Sequence, residues 1–319
     1  NTLWRICVLI ENTPELTLIG AGPEATILEF EDGFDPGHWT IAVASLINEN
    51  LRVEGIGVGT FLYGISTYLG DLSVADCAFT CDEQCGPAAW PQAANDVRIS
   101  DSYVSGYYNP GICVLGSGSN DLLVERCRFE GCVSGVRAQS TANASVRVYD
   151  SEFEECIISG VTISDGSGGE VRRNFIRGNT RVGIAILEST NVEVTDNDVE
   201  VAGGAEWGLA LSLQPHEGYH ALCTGNILRS DQRCVYAPYP RDWTFHGNHI
   251  LPIGDGDAVS CFIPGHTYPQ DYPEVVHLDF TMNYWGTTDV EEIAAMIVDY
   301  HDYPEHEVVV DFEPMADGP

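Results

Sequence analysis

Apolar and polar residues recur along this chain with a period of about 24 residues. One recurring position holds Cys, Ser or Asn, and apolar residues usually stand three positions before it and two positions after it. Its occurrences are Cys77, Ser102, Cys127, Ser151, Asn174, Asn197, Asn226, Asn248 and Asn283. A second recurring position is a glycine followed by an apolar residue, as in Gly111-Ile112 and Gly135-Val136. A unit this short cannot bury its apolar face alone, so the repeat predicts a solenoid of stacked units.

Within each repeat the apolar residues alternate with polar ones, as at Leu122 and Val124 or Val146 and Val148. This alternation is typical of strands rather than helices, and the leucine pattern of leucine-rich repeats is absent. A stacked Asn at one turn of each repeat suits an inward amide that bonds to backbone and to its copy in the next coil, and Asn tolerates a left-handed bend. The pattern predicts an all-β protein, a single right-handed parallel β-helix of about ten coils.

Residues 16–285 resemble the pectate-lyase-like superfamily of parallel β-helix repeat proteins, in particular its bacterial secreted members. The segment LTLIGAGPEATIL at residues 16–28 looks like their first coil, and NYWGTT at residues 283–288 looks like the start of their closing cap. The resemblance implies a β-helix over residues 1–286 and a C-terminal helix and capping segment over residues 287–319. We expect that helix at about Val290 to Tyr300 and a final strand at Glu307 to Phe312. The chain starts within the pattern and without Met, so we expect a trimmed chain that lacks its N-terminal cap.

The chain carries 48 acidic residues against 14 basic ones, all of them arginine, for a net charge of −34. Such a surface repels nucleic acid and anionic lipid, and no apolar run is long enough for membrane insertion. It attracts cations, and Ca²⁺ is the expected cofactor for clustered carboxylates outside cells. Asp255 and Asp257 in a Gly-Asp-Gly-Asp sequence are the candidate calcium ligands, and a plain turn explains that sequence equally well. Acidity that serves only solubility is the alternative.

The chain contains 11 cysteines, which favour an oxidising compartment and therefore an extracellular or cell-surface location. Cys77, Cys81 and Cys85 are spaced four residues apart in a region with a strand-and-turn pattern, which favours a local disulfide or buried thiols over a metal site. Cys132 and Cys156 occupy equivalent positions in adjacent coils. Their expected Cα separation of about 4.8 Å lies within disulfide reach.

The strand after the recurring glycine carries the face where the superfamily resemblance implies function. Its outward columns are expected to be Ser66, Cys113, Arg137, Thr162, Ala185, Ala210, Tyr236 and Ser260, and then Tyr68, Leu115, Gln139, Ser164, Leu187, Ser212, Pro238 and Phe262. A pectate-lyase-type site implies several carboxylates that hold Ca²⁺ and an Arg or Lys that abstracts a proton. Arg137 is the catalytic candidate, but these columns contain no Asp or Glu.

Loops beyond this strand are rich in histidine and tyrosine. Aromatic side chains on loops suit stacking on sugar rings, and histidines could also ligate a transition metal. The predicted ligand-binding residues are Tyr236, His216, His266, Tyr268 and Tyr272.

Half of the arginines fall in three consecutive coils. They are Arg126, Arg128, Arg147, Arg172, Arg173, Arg177 and Arg181. Either they form cross-strand ion pairs, with Arg147 near Glu125 and Arg172 near Glu193, or they form a docking patch for an anionic polysaccharide or another copy.

Two functions fit these features. The first is an extracellular, non-catalytic β-helix module that binds glycan or other copies of itself. The alternative is a carbohydrate-active enzyme, a Ca²⁺-assisted polysaccharide lyase or an epimerase, that acts on acidic polysaccharide.

Overall fold

The computed structural model describes residues 4–10, 15–28, 39–45, 50–59, 63–68, 70–91, 94–115, 121–139, 145–166, 168–179, 181–202, 208–214, 220–238, 243–262, 276–299, 301–302, 308–316 and 318. The chain forms two compact units, the first of Asn1–Ile157 with Asp165–Ser167 and the second of Ile158–Ser164 with Gly168–Pro319. No helix among the described residues is long and apolar enough to cross a membrane.

The described elements of the first unit are all strands. They are β1 (Trp4–Ile10), β2 (Glu15–Ile19), β3 (Ile27–Leu28), β4 (Trp39–Ser45), β5 (Asn50–Glu54), β6 (Gly57–Val58), β7 (Tyr63–Thr67), β8 (Gly70–Ala75), β9 (Ala78–Cys85), β10 (Ala89–Pro91), β11 (Ala94–Ser100), β12 (Tyr103–Tyr108), β13 (Ile112–Leu115), β14 (Asp121–Glu125), β15 (Arg128–Glu130), β16 (Ser134–Gln139), β17 (Ser145–Tyr149) and β18 (Glu152–Glu154).

The described elements of the second unit are strands and one short helix. They are β19 (Ser159–Ser164), β20 (Gly168–Arg172), β21 (Phe175–Asn179), β22 (Val182–Leu187), β23 (Val192–Thr195), β24 (Asp198–Val201), β25 (Leu209–Gln214), β26 (Ala221–Thr224), β27 (Ile227–Ser230), β28 (Arg233–Pro238), β29 (Trp243–His246), β30 (His249–Pro252), β31 (Asp257–Phe262), β32 (Val276–Asp279), α1 (Val290–Ala295), β33 (Ile297–Val298) and β34 (Val308–Asp311).

Successive strands go in turn to three parallel sheets, here called A, B and C. In the first unit the orders are β1-β4-β7-β10-β13-β16 in sheet A, β2-β5-β8-β11-β14-β17 in sheet B and β3-β6-β9-β12-β15-β18 in sheet C. In the second unit they are β19-β22-β25-β28-β31-β33, β20-β23-β26-β29-β32-β34 and β21-β24-β27-β30. Each strand pairs with the equivalent strand of the next coil, which confirms the predicted parallel β-helix.

The recurring Asn positions form a buried ladder in the turn from sheet B to sheet C of the second unit. The Asn226 Oδ1 accepts hydrogen bonds from both the backbone N–H and the Nδ2 of Asn197, at 3.0 and 2.9 Å. The Asn226 Nδ2 donates to the Asn248 Oδ1 and to the Val194 carbonyl, at 2.9 and 2.7 Å. The ladder therefore satisfies backbone groups that no water can reach.

Cys and Ser take the same place in the first unit. The Ser102 Oγ accepts the Cys77 N–H at 3.2 Å, and the Ser151 Oγ accepts the Cys127 N–H at 3.1 Å. Ser102 donates its own proton to the carbonyl of Ser100 at 2.7 Å. A hydroxyl thus replaces the amide: it accepts a backbone N–H of the coil before and donates to a carbonyl of its own coil.

The sequence predicts the left-handed conformation at the ladder Asn itself, and this prediction is wrong by one position. Positive φ falls on the residue before each ladder side chain, as at Asp76 (49°), Arg126 (52°) and Met282 (59°). The bend must be complete before the ladder side chain can point inward. The bending residue is exposed, so side chains as different as Asp, Arg and Met occur there, although positive φ disfavours β-branched residues.

The C-terminal helix ends at Ala295, earlier than the predicted Tyr300, because Ile297 leaves the helical stripe to pair with Val259 in sheet A. Asp289 caps its start by accepting the backbone N–H groups of Glu291 and Glu292, at 2.9 and 3.3 Å. The final strand forms at Val308–Asp311, as predicted. The division into a β-helix over residues 1–286 and a cap over residues 287–319 stays a prediction.

Replacing one ladder amide should destabilise the fold strongly. Asn226→Ala removes the acceptor of two buried Asn197 groups, so we expect a loss of about 2–4 kcal/mol in the free energy of unfolding. Chemical denaturation measures it. Asn191→Gly is the matched control, since Asn191 is exposed at positive φ, and it should change stability by less than about 1 kcal/mol. Equal effects of the two substitutions would contradict a stabilising ladder.

Candidate functional site

The outward side of sheet A in the first unit carries a line of side chains, Ser66, Trp90, Cys113 and Arg137, with Tyr63 packed against Trp90; together they are here called the Trp90 face. Trp90 pairs with Ser66, and the pairing of Ala89 with Ile112 brings Trp90 beside Cys113. Cys113 in turn pairs with Arg137. Neighbouring side chains of this line are therefore about 4.8 Å apart along the sheet.

Trp90 is half-buried and stacks on Tyr63, with ring centroids 4.8 Å apart and the planes inclined by 18°. It also packs on a small apolar cluster of Ile41, Ala44 and Tyr63. Burial raises the pKa of Tyr63, and the nearby Cys113 raises it further by a smaller amount. The Tyr63 hydroxyl therefore stays protonated at neutral pH. The result is a rigid aromatic pair with part of the indole open to solvent.

Arg137 is exposed, and its Nη2 donates a hydrogen bond to the Gln139 Oε1 at 2.8 Å. Among the described residues no carboxylate pairs with Arg137. Burial raises the pKa of the neighbouring Cys113 thiol to about 11, and Arg137 offsets only part of this rise, so that thiol is neutral and a poor nucleophile. The described part of this face thus offers an aromatic platform and a cation, without the carboxylates that a Ca²⁺-dependent lyase requires.

The sequence missed Trp90 because Ala88 replaces the recurring glycine in its coil. A Cβ built onto Gly64 would lie only 2.3 Å from the Ala88 carbonyl oxygen. Gly64 and Ala88 therefore occupy equivalent positions in adjacent coils. Gly64 and Gly111 are separated by twice the usual period, and this gap could have indicated an intervening coil without the glycine.

The expected columns also need one correction in the second unit. Ser212, rather than Ala210, pairs with Ala185 and Tyr236, and Leu211 takes the inward position. The predicted glycine position at Gly208 is therefore two residues too early, because Ala210 stands in that coil where the neighbouring coil has Gly183.

Tyr236 lies on β28 of the second unit, half-buried and beside Ser212 and Ser260. The guanidinium carbon of Arg233 is 5.8 Å from the centroid of its ring. His216, His266, Tyr268 and Tyr272 lie outside the described residues. Their role in ligand binding stays a prediction.

The two candidate calcium ligands differ in their surroundings. Asp257 begins β31, and its Oδ2 is 3.5 Å from the Arg233 Nε, whereas Asp255 is exposed in the preceding turn. Burial raises the pKa of Asp257, and Arg233 acts in the opposite direction. No group of three or more His, Cys, Asp or Glu side chains in the described ranges is placed to hold a metal ion. The predicted Ca²⁺ site stays a prediction.

The ion-pair interpretation of the central arginines is confirmed for several of them. The Arg126 Nε is 2.7 Å from Asp101, and the Arg128 Nη2 is 2.7 Å from Glu154. Arg172 bonds to Glu193, as expected. Arg147, however, lies 3.8 Å from Asp121, because the predicted partner Glu125 pairs with Arg126.

Cys81 and Cys85 form the local disulfide that the sequence allowed, and Cys77 is a separate buried thiol. Cys132 and Cys156, which the sequence places within disulfide reach, form no disulfide, and both are buried thiols. Coil stacking brings their backbones together, but the Cys132 Sγ points to carbonyl oxygens of Val104 and Glu130, at 3.8 and 3.9 Å. Burial raises the Cys132 pKa to about 12, which also protects it from oxidation.

Stacked parallel coils with three sheets define the class of parallel β-helix proteins. The sequence profile of the family described as "Right handed beta helix region" matches residues 47–199 and again residues 110–253, which together cover more than half of the chain. The chain therefore belongs to this family, and the pectate-lyase-like resemblance agrees with it. No curated protein and no solved structure matches the chain.

Calcium should stabilise the protein if Asp255 and Asp257 form a site. A ligand that binds only the folded state adds about 2.7 kcal/mol at a hundredfold excess over Kd, so Tm should rise in millimolar Ca²⁺. The change in Tm on addition of Ca²⁺ is compared, rather than the Tm without Ca²⁺, because Asp257→Asn also removes the Arg233 contact. Asp255→Asn with Asp257→Asn should abolish the response. Equal shifts with Na⁺ at matched ionic strength would instead indicate screening of the net charge of −34.

Proposed function

We propose that this protein is a non-catalytic β-helix module, extracellular or on the cell surface, that binds glycan through the Trp90 face. The observation that carries this proposal is the partly exposed Trp90 ring, held by stacking on Tyr63 in the same sheet face as Arg137. Aromatic rings whose orientation is already fixed bind sugar rings with little loss of side-chain entropy.

The spacing of the face suggests how a glycan would lie on it. Trp90 and Arg137 are two strands apart, about 10 Å along the coil axis, so a ligand that touches both is longer than one sugar ring. The Trp90 ring would stack on the apolar side of one sugar, and Arg137 and Gln139 would donate hydrogen bonds to oxygens of another.

The chemistry of the face favours binding over catalysis. Acid–base cleavage of a glycan needs a positioned acid and base, and lyase chemistry needs a metal or another group that neutralises the uronate. The described residues around Arg137 supply no carboxylate, and Cys113 stays protonated. The Cys81–Cys85 disulfide and the strongly acidic surface support an extracellular location.

Trp90→Ala should weaken glycan binding by about tenfold or more, since removal of the ring also removes the platform that orients the ligand. Trp90→Phe keeps an aromatic ring and should retain most of the affinity. Tyr284→Ala, in the second unit, should leave it unchanged. Affinity electrophoresis and calorimetry against neutral and uronate-containing polysaccharides provide the measurement.

The enzymatic alternative predicts a different result from the same variants. Product with new double bonds, formed from a uronate polymer by the wild type and abolished by Arg137→Ala, would overturn the non-catalytic proposal. Unchanged glycan affinity in Trp90→Ala would show that the Trp90 face is not the binding surface.

A further inference from the structure

Sheet B of the first unit presents two parallel columns of outward side chains. The carboxylate column is Glu15, Asn50, Asp71, Asp96, Asp121 and Ser145, and the arginine column, two residues further along each strand, is Thr17, Arg52, Ser73, Arg98, Leu123 and Arg147. The two columns are about 7 Å apart, and successive members of each are about 4.8 Å apart.

Charges of opposite sign thus lie mainly in separate lines, which touch where the Arg147 Nη2 is 3.8 Å from the Asp121 Oδ2. Arg98 is exposed and forms no ion pair within the described part of the chain, unlike Arg52, which bonds to Glu54 at 2.5 Å. A groove of about 450 Å³ runs beside Arg98 and Arg52, with Asp71 and Asp96 along its wall.

The carboxylates of this face are fixed by the backbone of the next coil. The Asp71 Oδ1 accepts the Asp96 N–H at 3.1 Å, and the Asp121 Oδ1 accepts the Ser145 N–H at 3.2 Å. Like charges on neighbouring strands repel, so a line of carboxylates held in place favours any partner that brings cations at the same spacing.

We propose that this face binds the same face of a second copy of the chain. A two-fold axis parallel to the coil stacking, placed between the two columns, sets the arginine column of each copy against the carboxylate column of the other. Each coil then meets its own copy, so that Arg98 faces Asp96 of the second copy. Arg98 is then the main cation of the contact on each side of the axis. Arg52 and Arg147 would meet the second copy while they also contact Glu54 and Asp121 of their own chain.

Charge decides between this occupant and an anionic polymer. An acidic polysaccharide would lie along the arginine column but also against the carboxylate column, and it brings charge of one sign only. A second copy supplies both signs in the complementary order. Six coils extend about 24 Å, which gives a contact smaller than that of a tight dimer, so the association should be weak. It should also depend on salt, which screens both the Arg–carboxylate pairs and the overall repulsion.

Charge reversal across the two-fold axis tests the proposal. In sedimentation velocity at about 0.15 M salt, the wild type should dimerise with rising concentration, and Arg98→Asp or Asp96→Arg alone should weaken dimerisation at least tenfold. An equimolar mixture of the two variants should restore it, because each supplies the charge that the other lost. Circular dichroism checks that both variants fold.

Arg181→Asp is the matched control, since it changes the net charge equally at an exposed arginine of the second unit and should leave dimerisation unchanged. A wild type that stays monomeric at all concentrations, or a mixture that stays monomeric, would overturn the proposal. If an acidic polysaccharide binds the wild type, and this binding is abolished by Arg98→Asp and not restored in the mixture, the face binds that polymer instead. Trp90→Ala should not affect dimerisation, so a failure here is distinct from a failure of the proposed glycan binding.

Discussion

In the turn from sheet B to sheet C, backbone N–H groups such as those of Cys127, Asn197 and Asn226 point into an interior from which water is excluded. A side chain of the following coil must accept them, because an unpaired buried N–H costs free energy comparable to a lost hydrogen bond. In the second unit one Asn oxygen accepts both the backbone and the side-chain amide of the preceding Asn, as Asn226 does for Asn197. This contact, or its hydroxyl equivalent in the first unit, holds neighbouring coils in register at this turn.

Because the register between coils is fixed, outward side chains at equivalent positions form lines on the surface. Because each strand pairs with its equivalent in the next coil, an outward residue lies about 4.8 Å from its counterparts, whatever their chemistry. On sheet A of the first unit, this places Trp90 and Arg137 on one face. On sheet B it sorts arginines and carboxylates into separate columns. Both proposed binding surfaces are consequences of the same coil-to-coil register.

The excess of negative charge limits how the arginines can be used. Most of those described pair with a carboxylate, commonly one of a neighbouring coil. Arg128, for example, contacts Glu130 of its own strand at 3.2 Å and Glu154 of the next coil at 2.7 Å. Exposed pairs of this kind contribute little stability each, but they separate like charges that stacking would otherwise bring together. Arg98 and Arg137 form no ion pair with the described residues. They are the charges on which the two proposals depend.

The repeat in the sequence was enough to predict the parallel β-helix and its buried Asn positions, because solenoid contacts are local and recur at a fixed spacing. The final strand was predicted from the resemblance of the C-terminal segment to a closing cap. Trp90 escaped prediction, since Ala88 interrupts the glycine pattern and only strand pairing shows that β10 belongs to sheet A. The partner of Arg147 and the thiols of Cys132 and Cys156 were likewise decided by tertiary structure. Sequence spacing tells which coils are neighbours, whereas side-chain direction and competition between nearby partners tell which atoms meet.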